Sequence, residues 1–598
     1  MTGLQIAAAV AVVVVAVVTY TLGRRSATRS GQDFDFARRT VRSRRNAAAM
    51  SGEYLCAALF IGITGVVLAE GADGLWYPIG FTAGFVALLI FVAAPLRRSG
   101  AYTMPDFIDA RVPGAGMRGL ASLVAALIGV LYLLPQLHGA ELAARTLFGG
   151  PDWAGPVALT VLVLITVLGG GMRAITVTLA FQYWLKMFAI IAPTLVMLVV
   201  FIGSAPGGAP HGITSDDPPV FARDSTIRIS EPVTLRVEAP TKFEAHGEIA
   251  GHPTDGPTTW SPQRGPLEVG ADTTLTFEAG APVPVLAGHP AGNADWLDPS
   301  GGDVWDLLGT YSLLLALVLG TMGLPHILVR YYTNPDGIAA RRTTLHVLLF
   351  VGIFAVFPIM LAVLSRLYVP RLLVTGETDT ALLLLPSAML GGGLAGQIVT
   401  AVLVAGIFSA VLAAASGLVF SVAGVISTGV LPERLRKQQL GAVLVAAAAL
   451  AMALAAPRID LAHTLSHAFA LAASTFCPVL VLGIWWRGLK AKGAAAAMVI
   501  GAGLVLTAIG LEVAALQRGE EAPVLIQHPA LVSVPVAFFV AIAVSKMSRR
   551  RVPADVDDLM LRMHAPDPLG FLRDRSFPRQ TEEQTRSGLT RHRRHGHG

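Results

Sequence analysis

The chain has 598 residues, of which 54% are hydrophobic and only 14% charged, against about 25% charged in an ordinary soluble domain. Repeated uncharged runs of about 20 apolar residues are membrane spans rather than core helices, so a soluble enzyme is excluded. The surplus of 45 Lys+Arg over 39 Asp+Glu then reads as membrane topology and not as a nucleic-acid interface.

Taken in chain order, the run 3–22 has no cationic stretch before it and is followed by Arg24 and Arg25. Without a small-residue cleavage site it reads as a retained first span rather than a signal peptide. Hydropathy then predicts about thirteen spans, near 3–22, 48–71, 76–95, 117–145, 155–170, 175–203, 304–328, 343–366, 393–423, 440–456, 463–485, 493–513 and 529–546. Segment 23–46 is a basic linker carrying Arg24, Arg25, Arg29, Arg38, Arg39, Arg42, Arg44 and Arg45. Later basic residues (Arg97, Arg98, Arg330, Arg341, Arg342, Arg434, Arg436, Lys437, Arg487, Lys490, Lys492 and Arg549 to Arg551) fall in every second connection. Arg366, Arg371, Arg458 and Arg518 are the exceptions. The positive-inside rule places the N-terminus outside a cell membrane and the C-terminus in the cytoplasm.

Residues 204–303 form an external insert rich in Pro, Gly, Thr and Asp. The alternation from Thr226 to Glu238 and from Thr273 to Phe277 predicts short strands, in a β-rich cap or an irregular loop. Long loops translocate regardless of charge, so Arg223, Arg228 and Arg236 leave the topology unchanged. The tail 547–598 is basic and ends Arg591-His592-Arg593-Arg594-His595-Gly596-His597. It is either a disordered tail near anionic lipid or a metal-binding tract. The two cysteines, Cys56 and Cys477, both lie in apolar runs and give no disulfide framework.

Inside hydrocarbon a helix is interrupted only where the break is buried or lines a cavity. Two spans look broken. The second reads Ser51-Gly52-Glu53-Tyr54-Leu55-Cys56-Ala57-Ala58, then Gly62 and Gly65. The seventh reads Gly320-Thr321-Met322-Gly323-Leu324-Pro325-His326. Pro325 removes a donor and clashes with the preceding turn, and the glycines lower helix propensity. They open two successive groups of five spans, and breaks at matching places are the sequence mark of a transporter's midplane site. Half-helix N-termini there present N–H groups to a carboxylate, and unwound carbonyls coordinate a cation. Packing alone also places Gly and Pro in membrane helices.

The string 51–71 followed by Gly74-Leu75-Trp76-Tyr77 resembles the first core helix of the sodium/solute symporter family, closest to its acetate and short-monocarboxylate permease branch. Leu134-Pro135-Gln136, the string Gly320 to Thr333 and the small-residue span 410–427 extend the resemblance over about 30–510. It implies an all-α, five-plus-five inverted-repeat fold. Residues 47–203 would form the first repeat and 304–486 the second, with two additional helices in 487–546. It also implies a sodium site built from first-helix carbonyls, falling on Gly52 and Leu55, with Cys56 where serine is usual. The matching hydroxyl positions are Ala413 and Ala414. Ser409 and Ser416 lie at helical spacing from them and could substitute.

Lys186 lies partway along the sixth span, where some proton-coupled transporters of this architecture carry a lysine in place of sodium. It either takes part in coupling or snorkels to the interface about three turns from Arg173. Glu53 carries charge for a cation or proton, or bonds exposed backbone. His326 follows a helix-breaking proline and reads as a cap before a proton carrier. Gln136, His138 and Glu141 mark a polar face, for substrate or for interhelical bonds. Tyr54, Gln136 and Gly320 to Gly323 are the expected substrate contacts.

The sequence therefore predicts a cation-coupled symporter, not an enzyme, importing an acetate-, propionate- or pyruvate-type acid by alternating access. The coupling ion is Na⁺ or H⁺, no cofactor is called for, and the partners are the small anion and the bilayer. The alternatives are a symporter of a neutral amino acid or sugar and a non-transporting sensor. A channel lacks a pore-loop repeat, and a membrane enzyme lacks a clustered nucleophile or metal constellation.

Overall fold

With no water to satisfy the backbone, an apolar chain folds in a membrane as helices that bond internally. The computed structural model describes residues 3–26, 41–169, 171–203, 218–230, 232–299, 304–431, 437–548, 552 and 555–565. Most of the basic linker, Arg434, Arg436, Arg549 to Arg551 and the His-bearing tail lie outside the described residues. Among the described residues, 11 helices are long and apolar enough to cross a membrane, and up to 12 spans result if the bent pair is one. The remaining expected span is Ala154–Leu168, 15 residues, or about 22 Å of helix against a hydrocarbon core of about 30 Å.

Helix α1 (Gly3–Ser26) precedes the two groups of five. The first group of five begins with α2 (Ser43–Tyr54), a π-helical turn Ala58–Gly62 and α3 (Ile63–Glu70), bent by 74° at the break. It continues through α4 (Trp76–Phe91), the short α5 (Ala93–Ser99) and α6 (Met104–Arg111), then α7 (Met117–Phe148), α8 (Ala154–Leu168) and α9 (Met172–Gly203). The insert carries α10 (Asn293–Leu297). The second group is α11 (Val304–Gly323) with α12 (Pro325–Tyr331), α13 (Gly337–Tyr368), α16 (Leu394–Gly429), α17 (Gln438–Ala455) and α18 (Leu461–Trp485), with the short α14 (Arg371–Thr375) and α15 (Ala381–Leu390) between α13 and α16. With the short α8 counted as a crossing the first group makes five, an odd number, so the second group starts from the opposite face and the two groups are inverted. Helices α19 (Ala491–Gln517), α20 (Val524–Gln527), α21 (Ala530–Met547) and α22 (Asp555–His564) complete the described chain.

Burial sorts these helices. In α7 and α18, 83% of the apolar window is enclosed by protein, against 17% in α1, so α7 and α18 lie at the centre and α1 at the rim. Large apolar side chains such as Val13, Phe188, Val199 and Phe539 face outward, as a lipid-facing surface requires.

The insert is a seven-stranded antiparallel sheet rather than an irregular loop. Its strands are β1 (Ser225–Ile229), β2 (Val233–Arg236), β3 (Thr241–Ile249), β4 (His252–Trp260), β5 (Leu267–Val269), β6 (Thr273–Phe277) and β7 (Val285–Leu286). The order is β1-β6-β3-β5-β2-β7, with β4 paired to β3. Ile249 pairs with His252, so Ala250 and Gly251 form the two-residue turn. Their φ of 51° and 76° suit the primed turns that match strand twist. Trp296 of α10 fastens the insert to the helices. Its indole N–H donates to Leu68 O at 3.1 Å, its carbonyl accepts from Ala72 N at 2.9 Å, and the Arg366 guanidinium lies 4.8 Å over its ring.

Candidate functional site

Helix α2 ends at Tyr54, leaving last-turn carbonyls without intrahelical partners. Lys186 of α9 fills this place. Its ammonium donates to Gly52 O at 2.5 Å and to Leu55 O at 2.7 Å, and the residue is fully buried. It does not snorkel. A cation at a helix C-terminus also meets the negative end of the helix dipole. Gly52 makes this approach possible, since a Cβ there would fall 2.2 Å from Leu179 O, two helical turns before Lys186.

Glu53, on the same turn, points to the second broken helix. Arg330 of α12 donates to Glu53 Oε2 through Nε at 3.0 Å and Nη2 at 2.8 Å, with both side chains at 0% exposure. Arg330 Nη1 also donates to Thr176 Oγ1 of α9 at 3.1 Å, and Arg330 O accepts from Asn46 Nδ2 at 2.9 Å. Arg330 thus ties the two broken helices to α9. Glu53 fits because α16 carries Gly417 opposite it, where a Cβ would meet the carboxyl carbon at 2.5 Å.

The other side of the breaks is aromatic. Tyr54 donates to Phe81 O at 3.0 Å and lies 3.2 Å from Thr321 Oγ1, packed among Phe81, Phe85 and Phe469. Gln136 Oε1 accepts from Ala57 N, just beyond the first break, at 2.9 Å. His326 stacks edge-on against Tyr132, ring centres 4.6 Å apart, and Met322 is buried. Gly320 and Gly323 lie against α18, where a Cβ would fall 2.5 Å from Phe469 O and 2.4 Å from Ala472 O. The structure therefore brings Tyr54, Gln136, Thr321 and both glycines to one place, in a closed arrangement.

The remaining expected ligands are scattered around it. Ser409 Oγ donates to Gln182 O at 3.4 Å. Ser416 Oγ is buried without a hydrogen-bond partner, as is Ser51 Oγ, and Cys56 is a buried free thiol. Ala413 and Ala414 are fully buried and offer no side-chain oxygen. His138 bonds Ala453 O of α17 at 3.1 Å, and Glu141 accepts at 2.5 Å from Arg458 in the connection between α17 and α18. Arg330 was legible only as a topological charge. The signal that finds it is Glu53, since a carboxylate inside a span needs a cation within reach.

On the face that carries the insert, a cavity of about 680 Å³ opens between the sheet and the helix ends. Its lining includes His138, Glu141, Arg145, Arg228, Asp379 and Arg458. Asp379 Oδ2 accepts from Leu461 N at 3.0 Å and so caps α18. Burial, reinforced by Asp460, pushes its carboxyl well above the ordinary carboxylate range. Leu461 lines the cavity and also packs near Gly139, whose Cβ would lie 2.9 Å from that of Ala57. The cavity thus reaches toward the first break.

An uncharacterised symporter, YwcA, of Bacillus subtilis (strain 168) is 28% identical over 541 residues, 87% of this chain and 90% of that protein. A monocarboxylic acid transporter of Corynebacterium glutamicum is 26% identical over 575 residues, 92% of each chain. Among solved structures, a Na⁺-coupled sialic acid symporter in a substrate-bound outward-open state superposes with a TM-score of 0.60, covering 92% of this chain and 99% of that one. At 12% identity this likeness bears on the fold alone. The sodium:solute symporter profile matches residues 34–209 and 284–501, with the break between them falling over most of the β insert. The chain belongs to the sodium:solute symporter family.

Proposed function

We propose that this symporter imports a short monocarboxylate of the acetate, propionate or pyruvate type across the plasma membrane. We further propose that its coupling ion is a proton carried on Lys186. The observation that carries the coupling is the Lys186 ammonium on the carbonyls of Gly52 and Leu55, at 2.5 and 2.7 Å. Those are the oxygens a sodium ion would need, and a hard cation must replace its hydration shell with several oxygens. Alanine at 413 and 414 removes two more. A protonated Lys186 holds the first break in shape; losing the proton frees both carbonyls and lets the broken helix rearrange.

The substrate class is supported by the Corynebacterium relative and by the chemistry of the breaks. A small carboxylate has one charge and little bulk, suiting a site lined by Tyr54, Thr321 and Gln136. The carbonyls of Phe469 and Ala472 cover Gly320 and Gly323, so the acid reaches that segment only when α18 moves. On the positive-inside reading the insert faces outward and the cavity beneath it is the entry vestibule, with the C-terminus in the cytoplasm.

Uptake of labelled acetate, propionate and pyruvate into proteoliposomes tests the substrate, with alanine and glucose as competitors. Saturable uptake blocked by short acids supports it. Competition by the neutral solutes alone points to the amino-acid or sugar reading. Sodium coupling is the second reading, favoured by family membership and by the unpartnered hydroxyls of Ser51 and Ser416.

A further inference from the structure

Away from the breaks, the described residues hold one group of three His, Cys, Asp or Glu side chains whose donor atoms lie within 4.8 Å of one another. His463 and His467 stand one turn apart on the same face of α18, and Glu512 faces them from α19. Glu512 Oε1 lies 2.7 Å from His463 Nε2, and Oε2 lies 2.9 Å from His467 Nε2. The second contact is a close approach outside good hydrogen-bond geometry. Both His467 Nε2 and Glu512 Oε2 are buried and lack a partner of proper geometry, although their side chains are only 5% and 6% exposed. Two buried polar atoms that face each other at 2.9 Å outside good hydrogen-bond geometry leave room for a third partner between them.

We propose that His463, His467 and Glu512 form a transition-metal site of the zinc class, joining α18 to α19. Two imidazoles and one carboxylate are a common three-ligand protein set for zinc, at bond lengths of about 2.0–2.2 Å. Tetrahedral ligands at that length stand about 3.3 Å apart, and the three donors, one from each residue, already lie within 4.8 Å of one another, so side-chain rotation brings them to that spacing. The fourth position goes to water or to His528, whose ring centre is 5.3 Å from that of His463. Imidazole selects against the hard ions Na⁺, Mg²⁺ and Ca²⁺, so this site is distinct from the coupling-ion site. Because α18 also covers Gly320 and Gly323, a metal here pins the helix that must move to uncover them.

The test is zinc binding by the purified full chain in detergent, which needs no transport. The tail histidines His592, His595 and His597 are replaced by Gln so that they do not compete. Calorimetry is expected to give one Zn²⁺ per chain and none with Mg²⁺, Co²⁺ to show the d–d absorption of a low-coordinate N/O site, and Zn²⁺ to raise the thermal midpoint. His467→Gln should lower zinc affinity about 100-fold and abolish the midpoint shift. If that variant fails to fold, His463→Gln decides, since His463 is partly exposed and its replacement disturbs less packing. No zinc binding at ~50 μM in the parent, or undiminished binding in His463→Gln, overturns the proposal.

Discussion

Replacing Arg330 by Met leaves the Glu53 carboxylate fully buried without its guanidinium. The pair is enclosed at 0% exposure and held by two N–H donors, at 3.0 and 2.8 Å. Removing one partner of such a pair costs about 3–5 kcal/mol, because the other charge stays desolvated and uncompensated. Lys186 also acts electrostatically on Glu53, which places the expected loss near 3 kcal/mol, at the lower end of that range. Glu53→Gln alone removes the countercharge of Arg330, which keeps an amide oxygen, Thr176 Oγ1 and a sulfur contact to Met172, and should cost somewhat less. The double variant Glu53→Gln with Arg330→Met removes both charges and should recover roughly 2 kcal/mol of the summed single losses. Reversible unfolding in mixed SDS–detergent micelles measures all four proteins. Single losses below about 1 kcal/mol, the range of an exposed pair, or additivity of the two, would refute the buried clamp.

Gly323→Leu puts a side chain where Ala472 O already lies 2.4 Å from the Cβ position; membrane insertion should persist while uptake falls at least about tenfold, read by initial rates at matched expression. Arg366→Leu removes the hydrogen bonds to Asn293 Oδ1 and to Ala291 and Gly292 carbonyls, at about 1–3 kcal/mol, and should speed protease cleavage of the insert. The raised Asp379 carboxyl predicts a pH slope. Between about pH 4, where the unfolded carboxyl titrates, and neutrality the folded chain binds the extra proton, so stability falls as pH rises. Asp379→Asn should flatten that slope in thermal unfolding measured from pH 5 to 7.

Both breaks were readable because backbone chemistry is local: Pro325 and the glycines carry their own penalties wherever they sit. Lys186 was readable only as a choice between coupling and snorkelling, since its depth depends on how α9 crosses α2 at Gly52, a contact between distant segments. Hydropathy ends the span of Arg330 just before it and leaves it in a charged connection, while the fold turns it inward onto Glu53. Arg366 and Arg458, which broke the charge asymmetry, find partners in Asn293 and Glu141 that no short-range pattern links to them. In the insert, strands with clean alternation were visible. The hairpin of β3 and β4 was hidden by Pro253, Gly256 and Pro257, residues tolerated because β4 is an edge strand. His463 and His467 show the i, i+4 spacing of a helical ligand pair, but the third member, Glu512, lies on another helix.

The proton claim is met most directly by proteoliposomes under separately imposed Na⁺ and pH gradients, with the wild type beside Lys186→Ala. An inward proton gradient without Na⁺ should drive accumulation of labelled acetate in the wild type. Lys186→Ala should lose that accumulation while keeping acetate exchange, because the proposed substrate contacts at Tyr54, Gln136 and Thr321 remain. Accumulation driven by Na⁺ alone, and unchanged in Lys186→Ala, would contradict the account and return the coupling site to Ser409 and Ser416.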